Sequence, residues 1–175
     1  MVNNLLDRAQ IEQGKFSIKL SPFAPADLIS TTQSALNILA KTKGLELKSE
    51  ITPDVPAQLT GDVLRLQQIL FNLTSNAIKF TETGSVKARI FMQDSSHWGL
   101  QVIDTGIGIP ADVQENVFKT FWQVDSSATR KYRGSGLGLS IVKQLADLMG
   151  GVVTLTSQPG KGSTFTIIFP MEIKS

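Results

Sequence analysis

The spacing of apolar residues changes along this chain, and the changes mark its elements. Over residues 62–80 apolar positions recur every three or four. Val63, Leu66, Ile69, Leu70, Leu73, Ala77 and Phe80 fall on one stripe, as on an amphipathic helix. Asp62 stands where an N-cap belongs, and Gly61 closes the segment before it. The same spacing over 27–42 (Leu28, Ile29, Ala35, Leu36, Leu39, Ala40) predicts a second core helix, entered after breaks at Pro22 and Pro25 and stopped at Gly44. Residues 135–149 predict a third, through Leu137, Leu139, Ile141, Val142, Leu145 and Met149, ended by Gly150 and Gly151. Residues 2–13 carry a weaker apolar edge (Leu5, Leu6, Ala9, Ile11) and read as the end of a helix, with Gly14 as C-cap and linker. So short a piece is marginal alone, so it is expected to continue a helix lying further upstream.

Alternation replaces helical spacing in the rest. Residues 16–20, 45–51, 86–92, 98–104, 152–156 and 163–169 read as strands. Asp94, Ser95 and Ser96 join one pair as a hairpin, and Pro159 to Gly162 turn another. Pro110 starts a short helix toward Val117, whereas 118–133 has no period and reads as a mobile lid. Strands joined mostly by hairpins, with about three helices, predict an α/β two-layer sandwich with the helices on one face of a mixed, mostly antiparallel sheet. Strict alternation of strand and helix, which a doubly wound fold needs, is missing.

Composition narrows the function classes. The 175 residues are 41% apolar and 18% charged, as in a single globular domain with a real core. Lys plus Arg number 17 against 15 Asp plus Glu, a net charge of only +2, which argues against a general nucleic-acid or membrane surface. Cys is absent, which excludes disulfides and thiolate metal sites and fits a cytoplasmic setting. No apolar run is long enough to span a bilayer, although a longer parent protein anchored in a membrane is compatible with this.

Five stretches carry candidate chemistry. Asn72 and Asn76 sit four apart on the central helix, and Lys79 follows three later, so a polar ridge runs along an apolar helix. Amides cost helix propensity, and a magnesium–phosphate group lying along the helix would supply the reason for them. Asp104-Thr105-Gly106-Ile107-Gly108-Ile109 puts one fixed acceptor at a strand end beside backbone that can approach a ligand closely. Asp104 would accept from an exocyclic amine such as that of adenine; a glycine turn with a solvated Asp is the plainer alternative. In Gly134-Ser135-Gly136-Leu137-Gly138-Leu139, three alternating glycines lead into a helix, which makes either a phosphate seat or a hinge. Neither stretch matches a Rossmann or Walker A loop. Gly160-Lys161-Gly162-Ser163-Thr164-Phe165 is a hairpin turn from which Thr164 is expected to reach a base, or Asp104 directly or through water. Lys119, Arg130, Lys131 and Arg133 face only Asp125, a local +3 suited to steering or clamping a triphosphate, unless it is an ordinary solvated loop. Arg65, one turn into the central helix, reaches either phosphate or a Glu.

Taken together, these stretches resemble the motifs of sensor histidine kinases. Residues 72–81 resemble the N box, 104–109 the first glycine box, 118–121 the F box, 134–139 the second glycine box and 160–165 the third, with order and spacing matching over 59–169. The resemblance implies a Bergerat fold and an ATP-binding catalytic domain with Mg²⁺. It implies that Asn76 ligates Mg²⁺ with Asn72 beside it, that Lys79 contacts phosphate, and that Phe80 packs near the nucleotide. Asp104 would hold the adenine amine, with Thr164 in the same network, and Gly106, Gly108 and Ile109 would pass close to the nucleotide. Phe121 and Arg133 would belong to the lid, while Gly134, Ser135, Gly136, Leu137, Gly138 and Leu139 would wrap the phosphates. Asn76 and Lys79 are the residues expected to serve catalysis.

Residues 1–14 are similar to the end of the second dimerisation helix, with 15–175 as the catalytic domain. The phosphoacceptor histidine is then expected upstream, because the one histidine, His97, lacks the phosphoacceptor context. Implied partners are the upstream helix bundle of the same protein, a homodimer when full length, and a downstream response-regulator receiver. Gyrase-type and Hsp90-type relatives carry a water-activating Glu four residues before the Mg²⁺ asparagine. Here that residue is Asn72, and an amide cannot take a proton from water. Transfer to an imidazole, which is already a nucleophile, is the expected reaction. A hydrolase using Glu82 as base and a regulator that binds ATP without transfer are the competing readings.

Overall fold

The computed structural model describes residues 17–119 and 138–172; the expectations for 1–16 and for most of the lid lie outside the described residues. The elements in chain order are β1 (Ser21–Phe23), α1 (Pro25–Thr42), β2 (Glu46–Ile51), β3 (Leu59–Gly61), α2 (Val63–Phe80), β4 (Ser85–Met92), β5 (His97–Asp104), α3 (Ala111–Gln114), α4 (Gly138–Leu148), β6 (Val152–Gln158) and β7 (Gly162–Pro170).

Five strands form the main sheet in the order β2-β4-β5-β7-β6. Only β2 and β4 run parallel, and α2 lies in the crossover between them. The remaining pairs are antiparallel. One sheet face carries Val86, Ala88, Ile90, Trp98, Leu100, Val102, Phe165, Ile167 and Phe169, all buried. Against it lie Leu28 and Leu36 of α1, Leu66, Ile69, Leu70 and Leu73 of α2, and Ile141 and Leu145 of α4. The opposite face is half-exposed and polar: Glu50 of β2 pairs with Lys87 and Arg89 of β4. The two-layer expectation therefore holds, and alternation along each strand explains it.

Three local readings need correction. The first strand is not at 16–20 but at 21–23, where it pairs with β3. Phe23 is buried there, and Gly61 leaves room for its ring: a Cβ on Gly61 would lie 3.2 Å from it. Pro22 is tolerated because this is an exposed two-stranded edge. Pro25 begins α1 instead of breaking the chain, since at the first helical position its missing N–H is no loss. Ala35 and Leu39, expected in the core, are exposed on α1.

Gly44 ends the α1 region as expected. Its φ of 69° lets the Leu45 N–H return to Ala40 O at 3.0 Å. Among the described residues α2 packs against both α1 and α4. Its C-terminal end meets the loop that leaves β5, because the Ile107 N–H donates to Phe80 O at 3.2 Å. That meeting brings the polar ridge of α2 and Asp104 into one region.

Candidate functional site

At the start of α2, Asp62 is buried and accepts from Arg65 N at 3.2 Å and from Lys19 N at 2.9 Å, so the expected N-cap is present and shared with the incoming chain. Leu66, Ile69, Leu70, Leu73 and Ala77 point into the core, while Phe80 is only half-buried. Asn72, Asn76 and Lys79 form the half-buried ridge that their spacing predicts.

This ridge faces the first described residue of α4. A Cβ placed on Gly138 would lie 3.7 Å from Asn76 Nδ2 and 3.8 Å from Asn72 Oδ1. The two amides therefore meet the beginning of α4, where backbone N–H groups and helix dipole favour an anion. Asn72 Nδ2 is buried without a hydrogen-bond partner among the described residues. Such a donor costs about 1–3 kcal/mol when left unpaired, and a phosphate oxygen would satisfy it. Lys79 Nζ lies 4.9 Å from the Phe80 ring centroid. Burial holds its ammonium below the ordinary lysine range. A cavity of about 410 Å³ beside it is lined by Leu39, Lys43, Ser75, Asn76, Ile78 and Lys79.

At the other end of the site Asp104 is buried, and burial raises its carboxyl above the ordinary range while two backbone donors oppose the rise. Both donors sit on one oxygen: Gly106 N at 2.8 Å and Ser163 N at 3.2 Å from Oδ1. Oδ2 is left to accept an amine. Ser157 then ties the loop to the β6–β7 hairpin. Its Oγ accepts from Ile109 N at 2.8 Å, donates to Gly162 O at 2.9 Å and lies 2.9 Å from Ser163 Oγ. Gln114 closes this knot with Nε2 bonds to Ile109 O and Ser157 O.

One site expectation changes, and two glycines gain a reason within the fold. Gly106 and Gly108 leave room for the protein's own backbone. A Cβ on Gly106 would strike Phe80 O, and one on Gly108, at φ 69°, would strike Gln158 O. Thr164 does not join Asp104. It pairs with Ile103, whereas Ser163 pairs with Asp104, and successive strand residues face opposite sides. Thr164 therefore lies on the face away from the helices, and Ser163 is the residue beside the carboxylate. A signal for this was available: Phe165 faces the core, so Ser163, two residues earlier, shares its side.

Leu139 and Ile109 are half-buried against the core, and Phe118 meets Phe165 edge-on at 6.1 Å, rooting the start of the expected lid. Phe121, Arg133, Gly134, Ser135, Gly136 and Leu137 lie outside the described residues, as does Trp122. His97 is the first residue of β5, with Nδ1 3.0 Å from Asp94 Oδ1, and Trp98 and Met149 are core residues. His97 and Asp104 bound the same strand, about 23 Å apart at some 3.3 Å per residue, so His97 is remote from the site.

The residues present fit a magnesium–nucleotide group. No cluster of three His, Cys, Asp or Glu side chains able to hold a metal occurs among the described residues. A cation here would take oxygen from Asn76 and most of its remaining ligands from phosphate and water, which is the habit of Mg²⁺.

Comparison with known proteins agrees. The profile of the family described as "Histidine kinase-, DNA gyrase B-, and HSP90-like ATPase" matches residues 61–173. The chain is 41% identical to the autoinducer 2 sensor kinase/phosphatase LuxQ of Vibrio parahaemolyticus, over 98% of this chain and 21% of that protein. It is 43% identical to the signal transduction histidine-protein kinase BarA of Escherichia coli, over 94% of this chain and 18% of BarA. The chain thus spans about a fifth of the length of these curated relatives. Among solved structures it is similar to full-length ShkA in complex with AMPPNP (TM-score 0.88, 31% identity, 99% of this chain and 36% of that one). It is also similar to the mycobacterial sensor histidine kinase MprB (TM-score 0.70, 28% identity, 87% of this chain and 97% of that one).

Proposed function

This chain belongs to the histidine kinase-, DNA gyrase B-, and HSP90-like ATPase family, as an ATP-binding catalytic domain of the sensor histidine kinase type, and from that premise we propose that it passes the γ-phosphoryl group of Mg-ATP to a histidine on a helix bundle preceding it. The observation that carries this reading is the meeting of the Asn72–Asn76 ridge with Gly138, on the same helix whose C-terminal end is bonded to the loop that follows Asp104.

In this reading Asp104 Oδ2 accepts from the adenine amine, while Gly106 and Ser163 hold the carboxylate in place. Asn72 donates to a phosphate oxygen, and Lys79 places its ammonium against the phosphate chain. Mg²⁺ held by Asn76 would neutralise phosphate charge. The incoming imidazole nitrogen bonds to the γ-phosphorus as the bond to the β–γ bridging oxygen breaks, and ADP leaves with that electron pair. Positioning and charge neutralisation supply most of the catalysis for such a transfer.

Hydrolysis is disfavoured by what stands at the water-activating position. Asn72 has no basic lone pair to take a proton. Glu82 lies beyond the end of α2, and the helix alone rises about 12 Å from Asn72 to Phe80 at 1.5 Å per residue. Residues 1–14 are assigned to the end of the dimerisation helix and 15–175 to the catalytic domain. The partners are the upstream bundle, a second copy of the whole protein and a receiver domain that takes the phosphoryl group onward. No helix among the described residues is long and apolar enough to cross a membrane.

Calorimetric titration of Mg-ATP into the chain and into Asn76→Ala tests binding. Addition of a phosphoacceptor bundle with γ-labelled ATP then tests transfer. Label on the bundle that is lost in acid and kept in alkali is expected. Equal affinity in Asn76→Ala, or fast hydrolysis without the bundle, would overturn the reading.

A further inference from the structure

The C-terminal turn of α2 carries Lys79, and a helix end leaves its last carbonyls without partners inside the helix. Here α2 exits through Thr81 in extended conformation (φ −100°, ψ 123°), so no left-handed glycine returns an N–H to them. Each carbonyl nevertheless has a donor. Ala77 O accepts from Thr81 N at 3.0 Å and Thr81 Oγ1 at 2.7 Å. Phe80 O accepts from Ile107 N at 3.2 Å. Ile78 O and Lys79 O accept from a single ammonium, Lys43 Nζ, at 2.7 and 3.0 Å, and the same nitrogen reaches Thr81 O at 2.7 Å.

Lys43 is the C-cap of α1, so its backbone is fixed by one helix and its side chain finishes another. An ammonium has three donors, and three carbonyls converge on it. Its positive charge also suits the negative end of the α2 dipole. Lys43, Asn76 and Lys79 line one cavity. We infer that Lys43 is a positioning residue for nucleotide binding: it fixes the turn from which Lys79 reaches the phosphates. The inference rests on the nucleotide reading above and names a residue that reading does not use.

The chain has no Cys, so Lys43→Cys can be alkylated selectively in urea and refolded. Bromoethylamine restores an ammonium at nearly the original reach, whereas iodoacetamide leaves a neutral amide. Mg-ATP affinity is measured at low temperature on each species after circular dichroism confirms folding. The expected result is a loss of about tenfold in folded Lys43→Met and in the neutral adduct, with recovery to near wild type in the aminoethyl adduct. The loss should largely vanish in a Lys79→Met background, which a role in stability alone would not produce. Wild-type affinity in folded Lys43→Met, no difference between the two adducts, or an undiminished loss in the Lys79→Met background would each overturn the inference while leaving the nucleotide reading in place. Failure of the wild type to bind Mg-ATP would instead overturn that reading, and this inference with it.

Discussion

The Cβ position of Gly138 lies 3.7 Å from the side-chain nitrogen of Asn76. That distance is ordinary contact, so Gly138→Ala should fold without strain. Gly138 is the first residue of α4, where the interior-helix penalty of glycine does not apply, so the exchange should be close to neutral for stability. The added methyl, however, projects into the space between α4 and the Asn72–Asn76 ridge. The variant is therefore expected to melt close to wild type while binding Mg-ATP several-fold more weakly. Thermal unfolding and calorimetry on the same sample check both. Unchanged affinity would remove this space from the phosphate site.

Asp104→Asn should also separate stability from binding. Burial raises the Asp104 carboxyl above its ordinary value of 3.8, so the folded chain holds this proton more tightly than the unfolded chain. The buried charge therefore costs stability above the raised pKa, and that cost fades as pH falls through it. Removing the charge is expected to raise Tm at pH 7, with the gain shrinking toward about pH 4. Binding should go the other way. Gly106 N and Ser163 N both donate to Oδ1, so they will hold the new amide oxygen there and leave its NH₂ facing the adenine amine. Two donors then oppose each other, and ATP affinity should drop by at least about tenfold.

Gly106→Ala tests what that glycine is for. Its Cβ would strike the Phe80 carbonyl, a backbone group that cannot swing aside. The expected loss is about 1–3 kcal/mol of stability, measured by urea unfolding without nucleotide. Were the glycine needed only to admit a ligand, the ligand-free chain would be unaffected.

These results bear on what can be read from residues alone. The α2 stripe, its Asp62 cap and the two long hairpins were legible because each is a local period or a local bond. The β1–β3 pair was not, since a three-residue strand has no period and Phe23 finds Leu59 only through tertiary packing. Within the site, residue types and spacing pointed to Asn72, Asn76, Lys79 and Asp104. They did not say which partner each would meet. Ser163 and Thr164 both carry a hydroxyl, and only the register of β7 on β5 decides which of them lies beside Asp104. Nor can a sequence show that the Phe80 and Gln158 carbonyls lie where a side chain on Gly106 or Gly108 would go. Lys43 looks like any surface lysine until α1 and α2 are packed together, 35 residues apart along the chain from Ile78.

Lys79 offers a test that depends on pH. Burial holds its ammonium below the ordinary lysine value of 10.5, and no carboxylate pairs with it among the described residues. Phosphate favours the charged form, so nucleotide binding should draw the pKa back up. Below the lowered pKa the free chain already carries the charge, and affinity should be flat. Above it, binding must first take up a proton, so affinity falls as pH rises, and the fall begins before the range of a solvent-exposed lysine. Calorimetry in buffers of different ionisation enthalpy should detect that uptake as a heat that changes with the buffer. Lys79→Met should bind more weakly at neutral pH and lose the alkaline limb, because it has no proton to gain. Lys79→Arg should stay charged throughout and also lose the limb, even if its planar head seats less well. An alkaline limb that persists in Lys79→Met would assign the titration to another group and take Lys79 away from the phosphates.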